Sequence, residues 1–263
     1  PIYHRDLLLT ISNLNEDLTP PKVALKAPQS KTRIDLTDQQ CLIFGGWTTP
    51  DSPPVPAIYL EPISSGTRIW IHSPAVAERI TIGSNLDKWL EKQAEALCLG
   101  HKWRPLLSDQ LSEASRLQPG QQNEAVSVCL DINNEGKLEH WKFLLSTVKP
   151  AAVIGEKELN SLAQRKPRAR TIPVALKPIK EHISQLKTII YTSKLLFDKQ
   201  KDEGLIELDL SVPQIPTLED LLINELDLYT KNWSLPFNSI DSNSILSSLL
   251  RESSYAWSRH LDN

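Results

Sequence analysis

The stretch EAVSVCLDINNEGKLEHWKFLLSTV, residues 124–148, constrains the fold of this chain more than any other. Two strand-forming runs flank the turn-forming residues Asn133-Asn134-Glu135-Gly136, which predicts a β-hairpin. An earlier pair of runs, AIYLEP and TRIWIHS, alternates around ISSG and predicts another hairpin. The strand-type pattern extends over residues 38–71, so the first half of the chain is predicted to be rich in β-structure.

Helical patterns dominate the second half. Ile179, Ile183, Leu186, Ile190 and Phe197 lie close to one helical stripe, and Gly204 follows where a C-terminal cap is expected. Two further helices are predicted, at about 218–231 with Thr217 as N-cap and at 242–260 with Asp241 or Ser242 as N-cap. The order of strands and then helices is typical of an α+β fold.

One helix is predicted earlier, over residues 85–98. Ser84 and Asp87 are three positions apart and precede Leu86, Trp89 and Leu90, so they resemble a capping box with Asp in place of Glu. Residues 1–31 are interpreted as an N-terminal arm and linker, and residues 32–263 as one domain. The chain begins at Pro1 and contains no methionine, so we expect that its native start lies upstream or that it is processed.

Composition excludes several classes of protein. A formal net charge of -3 excludes a strongly basic nucleic-acid binder on overall charge alone. Cys41, Cys98 and Cys129 are far apart, which favours reduced thiols in a cytoplasmic protein over a disulfide framework or a zinc knuckle. No apolar run approaches the ~20 residues of a membrane span, and no signal peptide opens the sequence, so no membrane association is predicted.

Charge is unevenly distributed along the chain. Residues 149–187 hold nine Lys or Arg against three Glu, a local +6, whereas residues 202–227 hold eight acids and no base. The run RKPRAR contributes Arg165, Lys166, Arg168 and Arg170, which are candidates for contact with an RNA backbone or an acidic protein surface. A solvated loop is the other interpretation of this run.

Seven tryptophans are candidates for base stacking or partner binding. Trp89, Trp141 and Trp257 lie at positions expected for core packing. Trp47, in GGWTTP, is predicted to be exposed and is the candidate anchor of a protein interface.

Four segments in register carry a family resemblance. RIDLTD at 33–38, WIHSPAVA followed by GSNLD, the stretch containing LQPG, and KLLFDKQKDEGLIELDLSVPQI resemble the catalytic RNB domain of the ribonuclease II and ribonuclease R family. The resemblance covers residues from about 33 to about 260 and implies an RNB-like mixed fold. It also implies magnesium-dependent 3′-to-5′ hydrolysis of single-stranded RNA, carried out by clustered aspartates that hold two metal ions.

The aspartate cluster of that family has no counterpart here. The matching stretch is CLIFGGWTTPDSPPVPAIYLEP, in which the aspartate positions fall on residues such as Trp47, Pro53, Val55 and Pro56. Asp51 is the only acid between Asp38 and Glu61. The resemblance therefore implies a shortened, catalytically inactive RNB relative without a catalytic or metal-binding residue and without a cofactor.

Three functions stay open. The first is a regulator of RNA turnover that binds a ribonuclease, another RNA-processing protein or single-stranded RNA. The second is a residual 3′-to-5′ exoribonuclease, with Mg²⁺ held by acids drawn from Asp35, Asp38, Asp51 and Glu61. The third is a structural subunit of an assembly unrelated to RNA.

His72 ends an apolar strand and is expected to be a half-buried structural histidine.

Overall fold

The structure is a computed structural model that describes residues 20–21, 24–26, 32–45, 54–93, 97–99, 102–104, 106–165, 171–204 and 242–261. They fall into two compact units. One is centred on Ala75–Arg116, and the other holds the described residues of 32–45, 55–74 and the chain from Leu117 onward. The boundary predicted between an arm at 1–31 and a domain at 32–263 stays a prediction, since only a few residues of that arm are described.

Nine strands are present in the described part of the chain. They are β1 (Ile34–Leu36), β2 (Leu42–Phe44), β3 (Ala57–Ile63), β4 (Gly66–Pro74), β5 (Leu97–Leu99), β6 (Lys102–Arg104), β7 (Asn123–Asn133), β8 (Leu138–Val148) and β9 (Ala152–Ile154). Seven of them form one sheet in the order β1-β8-β7-β4-β3-β2-β9, and β5 pairs with β6 in the other unit.

Both predicted hairpins are confirmed. β3 and β4 pair antiparallel from Ala57 opposite His72 to Ile63 opposite Gly66. β7 and β8 pair antiparallel, and Gly136 in their turn has a φ of 78°, a left-handed conformation that favours glycine. The two hairpins join through an antiparallel pairing of β4 with β7, and β2 pairs antiparallel with β3, which makes the five consecutive strands β8-β7-β4-β3-β2 an antiparallel centre of the sheet.

Parallel pairs extend this centre on both sides. β1 lies parallel to β8, with Ile34 opposite Ser146, and β2 lies parallel to β9, with Leu42 opposite Ala152. The sheet is therefore mixed. Five α-helices and three short 3-10 helices are also present in the described residues, and the α-helices are α1 (Asn85–Gln93), α2 (Asp109–Ser115), α3 (Glu156–Ala163), α4 (Ile183–Asp202) and α5 (Ser242–Leu261). The predicted α+β class, with strands first and helices later, is confirmed, and the predicted helix at 218–231 lies outside the described residues.

Helix α1 begins as its sequence predicts. The backbone N–H of Asp87 donates to Oγ of Ser84 at 3.2 Å, and the Asp87 carboxylate accepts the N–H of Gly83 at 2.7 Å. Its predicted end at residue 98 is wrong, because α1 ends at Gln93 and Leu97–Leu99 pairs with Lys102–Arg104 as a β-ribbon. Pairing with a following segment overrides a helical pattern that is read from one segment alone.

The main core lies on one face of the seven-stranded sheet. Alternate strand residues, such as Ile69 and Ile71 of β4, are buried there against the apolar sides of α4 and α5. The predicted stripe of α4 supplies Ile183 and Leu186 to this core. A smaller apolar cluster that includes Cys41, Ala57 and Ala125 lies apart from the main core, and Ala57 and Ala125 face away from that core in their strands.

Helix α5 is fastened to α4 by polar groups as well as by apolar packing. The Gln200 amide donates to the Glu252 carboxylate at 2.8 Å and to the carbonyl of Ser248 at 3.2 Å. All three residues are buried, so these bonds set the position of α5 on the sheet. No helix of the described residues has both the length and the apolar character that crossing a bilayer requires.

Candidate nucleic-acid interface

Most of the predicted interface residues lie outside the described part of the chain. Lys166, Arg168, Arg170 and Trp47 are in this group. Arg165 is described: it lies two residues after the end of α3, is half-buried, and donates its backbone N–H to the carbonyl of Leu162 at 3.2 Å. The prediction that these five residues bind RNA or a partner stays a prediction.

Two of the acids considered for a residual metal site, Asp35 and Glu61, are engaged elsewhere in the fold. The Asp35 carboxylate accepts the N–H of Thr37 at 2.9 Å and its hydroxyl at 2.7 Å. These hydrogen bonds lower the pKa of Asp35. Glu61 accepts the indole N–H of Trp70 at 3.0 Å, and Asp51 lies outside the described residues. Asp35 thus closes a local turn, and Glu61 orients a strand residue.

Distance also separates Asp35 from Glu61. Asp35 lies on β1 and Glu61 on β3, which are four strand spacings apart in the sheet order. At ~4.8 Å per spacing this is about 19 Å, whereas the two ions of a two-metal site lie ~3.5–4 Å apart. In the described residues no group of three or more His, Cys, Asp or Glu has a geometry that could hold a metal ion. These residues do not fit the magnesium pair that the family implies.

Two carboxylates do come together on the sheet, but a guanidinium lies between them. Arg68 donates from Nε and Nη2 to the two oxygens of Asp131, at 2.6 and 2.9 Å. Its Nη1 is 3.6 Å from the Glu61 carboxylate. The hydrogen bonds from Arg68 lower the pKa of Asp131. The position between these acids is therefore already occupied by a cation.

His72 belongs to a buried polar chain across three strands. Its Nδ1 is 2.7 Å from Oγ of Ser127, and that hydroxyl is 2.5 Å from Oγ of Ser146. The imidazole is fully buried rather than half-buried as expected, and burial lowers its pKa to about 4. Its Nε2 has no hydrogen-bond partner in the described structure. At neutral pH His72 is uncharged, and none of the described carboxylates is hydrogen-bonded to it, so it resembles a structural histidine.

The cysteines whose side chains are described are chemically quiet. Cys41 and Cys129 are free and buried, as the sequence predicts. Burial raises the pKa of the Cys41 thiol to about 12 and that of Cys129 to about 11. Neither thiol is ionised at neutral pH, which excludes both as nucleophiles.

The aromatic surface on α5 was not predicted from the sequence. Trp257 was expected in the core, but it is 48% exposed. Its ring meets that of Phe143 edge to face, with centroids 4.7 Å apart, and lies 5.9 Å from that of His260. The Arg259 guanidinium lies 4.8 Å from the ring centroid of Trp141 and 5.6 Å from that of Tyr255. Aromatic rings and one guanidinium thus cluster on α5 and the adjacent strand β8.

A groove of about 270 Å³ lies beside these rings, between α5 and the sheet. We call it the α5 groove. It is lined by apolar side chains and serines from β4, β7, β8 and α5, namely Ile71, Ser73, Val126, Val128, Phe143, Ser253, Ser254 and Trp257. Because its lining combines apolar side chains with serine hydroxyls, it suits a flat apolar group with polar edges.

Comparison with known proteins points to one family. The family model of the RNB domain matches residues 33–256. Protein sts5 of Schizosaccharomyces pombe is 28% identical over 126 residues, which are 48% of this chain and 12% of that protein. Ribonuclease R of Mycoplasmopsis pulmonis is 24% identical over 186 residues, which are 70% of this chain and 24% of that protein. The chain therefore spans a quarter or less of the length of these curated relatives.

Solved structures share the fold. Mycoplasma genitalium RNase R in complex with ribose-methylated single-stranded RNA superposes with a TM-score of 0.55 at 23% identity. That match covers 69% of this chain and 27% of the RNase R chain. Yeast Ssd1, a pseudonuclease, superposes with a TM-score of 0.50 at 16% identity, covering 70% of this chain and 22% of its own.

Proposed function

The chain belongs to the RNB domain family, and from that premise we propose that it is a non-catalytic member that regulates RNA turnover by binding single-stranded RNA. The observation that carries this proposal is the acid-poor stretch between Asp38 and Glu61, in which Asp51 is the only carboxylate. Two Mg²⁺ ions require several carboxylate oxygens close together, and one side chain cannot supply them.

The described acids support the same conclusion. Asp35 is engaged by Thr37, and Glu61 and Asp131 flank a guanidinium. To form a metal site, the latter two would have to release Arg68, which would leave its charge in a partly buried position. The cost of this rearrangement favours a scaffold that holds RNA over one that cleaves it.

Single-stranded RNA is the ligand that the chemistry favours. The segment from 149 to 187 carries a local charge of +6, and within it we assign the phosphate contacts to the run at 165–170, which holds four cations. RNase R, a structural neighbour, has been solved with single-stranded RNA, and yeast Ssd1 is a neighbour described as a pseudonuclease. A ribonuclease is the second candidate partner, because Trp47 lies in the stretch that lacks the aspartates and is of the residue type that anchors protein interfaces.

The test is to incubate the full chain with end-labelled single-stranded RNA and Mg²⁺, and to measure binding and shortening in the same samples. We expect a bound complex that weakens as salt rises, with RNA of unchanged length. Shortening that requires Mg²⁺ and disappears in Asp51→Asn would contradict the proposal. Shortening that persists in Asp51→Asn would indicate a contaminating nuclease, and its removal by further purification would restore the expected result.

Affinity capture from native extract, with and without ribonuclease treatment, separates the two partners. Capture of RNA-processing proteins that is lost on treatment supports RNA as the ligand. Capture of a ribonuclease that survives treatment supports the protein partner instead.

The proposal includes a cytoplasmic location, supported by buried reduced thiols at Cys41 and Cys129.

A further inference from the structure

We propose that the α5 groove binds an unpaired nucleobase of single-stranded RNA, with Trp257 as the stacking residue. The inference rests on the proposed function, since it assigns a place to the RNA that the chain is proposed to bind. It concerns a surface that is remote in sequence from the acid-poor stretch between Asp38 and Glu61. It is carried by the arrangement of rings, hydroxyls and charges around the groove.

The rings have exposed area where a base would stack. Trp257 and Tyr255 are 48% and 55% exposed, although both lie on a helix that packs on the sheet. The rings of Phe143 and Trp257 are in edge-to-face contact. This contact restricts the motion of the indole, so less side-chain entropy is lost when a base stacks on it. A base stacks well on such a held ring because every base has an aromatic face.

The groove is lined by hydroxyl groups as well as by apolar side chains. Ser73 on β4 and Ser253 and Ser254 on α5 line it together with Val126 and Phe143. Hydroxyls both donate and accept, so they pair with either kind of group on the edge of a base. A purely aliphatic ligand would leave these hydroxyls desolvated, which disfavours an apolar peptide side chain as the occupant.

Charge on α5 complements a phosphate backbone. Between residues 248 and 261 the acid in the sequence is Glu252, which is buried and accepts from Gln200. Arg259 and His260 are exposed on the same helix, and Arg259 already stacks on Trp141. Strand β8 has one carboxylate, that of Glu139, which accepts a hydrogen bond from the Asn133 amide. Along the strand Glu139 precedes Trp141, whereas Phe143, which lines the groove, follows Trp141. No carboxylate of the described helix therefore opposes RNA at the groove.

The experiment uses two fluorescein-labelled RNAs of about 16 nucleotides. One is an oligoadenylate, and the other has the same backbone with abasic sites, so that it keeps phosphates and lacks bases. Affinities are measured by anisotropy for the full wild-type chain, Trp257→Ala, Trp257→Phe and Tyr191→Ala. Tyr191 is a matched control because it is 72% exposed on α4 and does not line the groove.

The expected result is a loss of about 5- to 100-fold in affinity for oligoadenylate in Trp257→Ala. Trp257→Phe should recover part of that affinity, and Tyr191→Ala should bind as wild type does. Affinity for the abasic RNA should be equal in all four proteins. This pattern separates stacking from general damage, since misfolding would weaken binding to both RNAs.

Other outcomes overturn the inference in distinguishable ways. If wild type binds oligoadenylate and Trp257→Ala binds it equally well, the groove is not the base site, while the proposed function stands. If Trp257→Ala instead loses a captured ribonuclease and keeps RNA, the groove is a protein interface and the inference is wrong. If wild type binds neither RNA, the proposed function falls together with the inference.

Discussion

The imidazole of His72 lies 2.7 Å from the hydroxyl of Ser127, with both side chains fully buried in the centre of the sheet. The pairing register explains this meeting, because His72 on β4 stands directly opposite Ser127 on β7. Ser146 on β8 continues the chain of hydroxyls. A neutral histidine is thereby held by polar groups in a low-dielectric site, and its protonation opposes folding.

Stability should therefore fall in acid because of His72. Burial lowers its folded pKa from 6.5 to about 4, so below about pH 6.5 the unfolded chain binds a proton that the folded chain does not. The free energy of unfolding should decrease between about pH 6.5 and about pH 4, by roughly 3 kcal/mol in total. His72→Gln, which does not titrate, should lack this decrease. Urea unfolding across that pH range, followed by tryptophan fluorescence, measures it, and equal slopes in the two proteins would rule out His72 as the cause.

The Arg68–Asp131 pair supplies a different pH dependence. Asp131→Asn removes a two-point charged contact and should lower the free energy of unfolding at neutral pH by about 2 kcal/mol. Because hydrogen bonds from Arg68 lower the pKa of Asp131, this contribution is present at neutral pH and is lost as the pH falls below 3.8.

Glu203→Gln is the matched control for Asp131→Asn. Its partner Lys199 is 3.3 Å away on the same helix, and the Glu203 side chain is 63% exposed. We expect a change within about 0.5 kcal/mol, as for most exposed ion pairs. If urea titration shows equal effects for the two variants, the bidentate geometry contributes nothing beyond a surface pair.

The local parts of this fold could be predicted from sequence, and the distant pairings could not. The turn at residues 133–136 and the helix cap at Ser84 and Asp87 depend on interactions between residues that are close in sequence. Both features can therefore be predicted from a short sequence pattern. The pairing of Ile34 with Ser146 joins segments more than one hundred residues apart in sequence, for which no local pattern exists.

The candidate site was harder to predict for a related reason. The helical pattern of the sequence predicts that Trp257 lies on an apolar side of a helix. It does not predict how much of the Trp257 side chain the neighbouring strands cover. Phe143 contacts the indole edge to face, and Trp257 nevertheless stays 48% exposed. The acid-poor stretch between Asp38 and Glu61, by contrast, could be identified from the sequence because it depends on residue identity alone.

Gly66 should not tolerate a side chain. A Cβ at this position would lie 2.2 Å from the carbonyl oxygen of Ile132 and 2.8 Å from the backbone of Asn133, so two strands would have to separate. We expect Gly66→Ala to lower the free energy of unfolding by at least about 2 kcal/mol. Gly83→Ala is the control: its φ is 76°, but nothing lies within 4 Å of the added carbon, so the cost should be about 1 kcal/mol. Thermal unfolding of both variants tests this, and an equal or smaller effect at Gly66 would contradict it.

The basic run at 165–170 should determine how strongly RNA binding depends on salt. Replacing Arg165, Lys166, Arg168 and Arg170 by Gln removes four cations. If all four contact phosphates, the slope of log affinity against log salt should become flatter by about 3 for single-stranded RNA. Anisotropy titrations of labelled oligoadenylate at several salt concentrations measure the slope.

Lys187 and Lys194 provide the charge control, since both are exposed on α4 and belong to a helix that is described throughout. Changing these two lysines to Gln should leave the slope nearly unchanged, because the proposal assigns the phosphate contacts to residues 165–170. A slope that changes in proportion to the charge removed in both variants would mean that RNA senses only the average field of the protein. In that case the run at 165–170 is a solvated loop, and the contacts that position RNA must come from other residues.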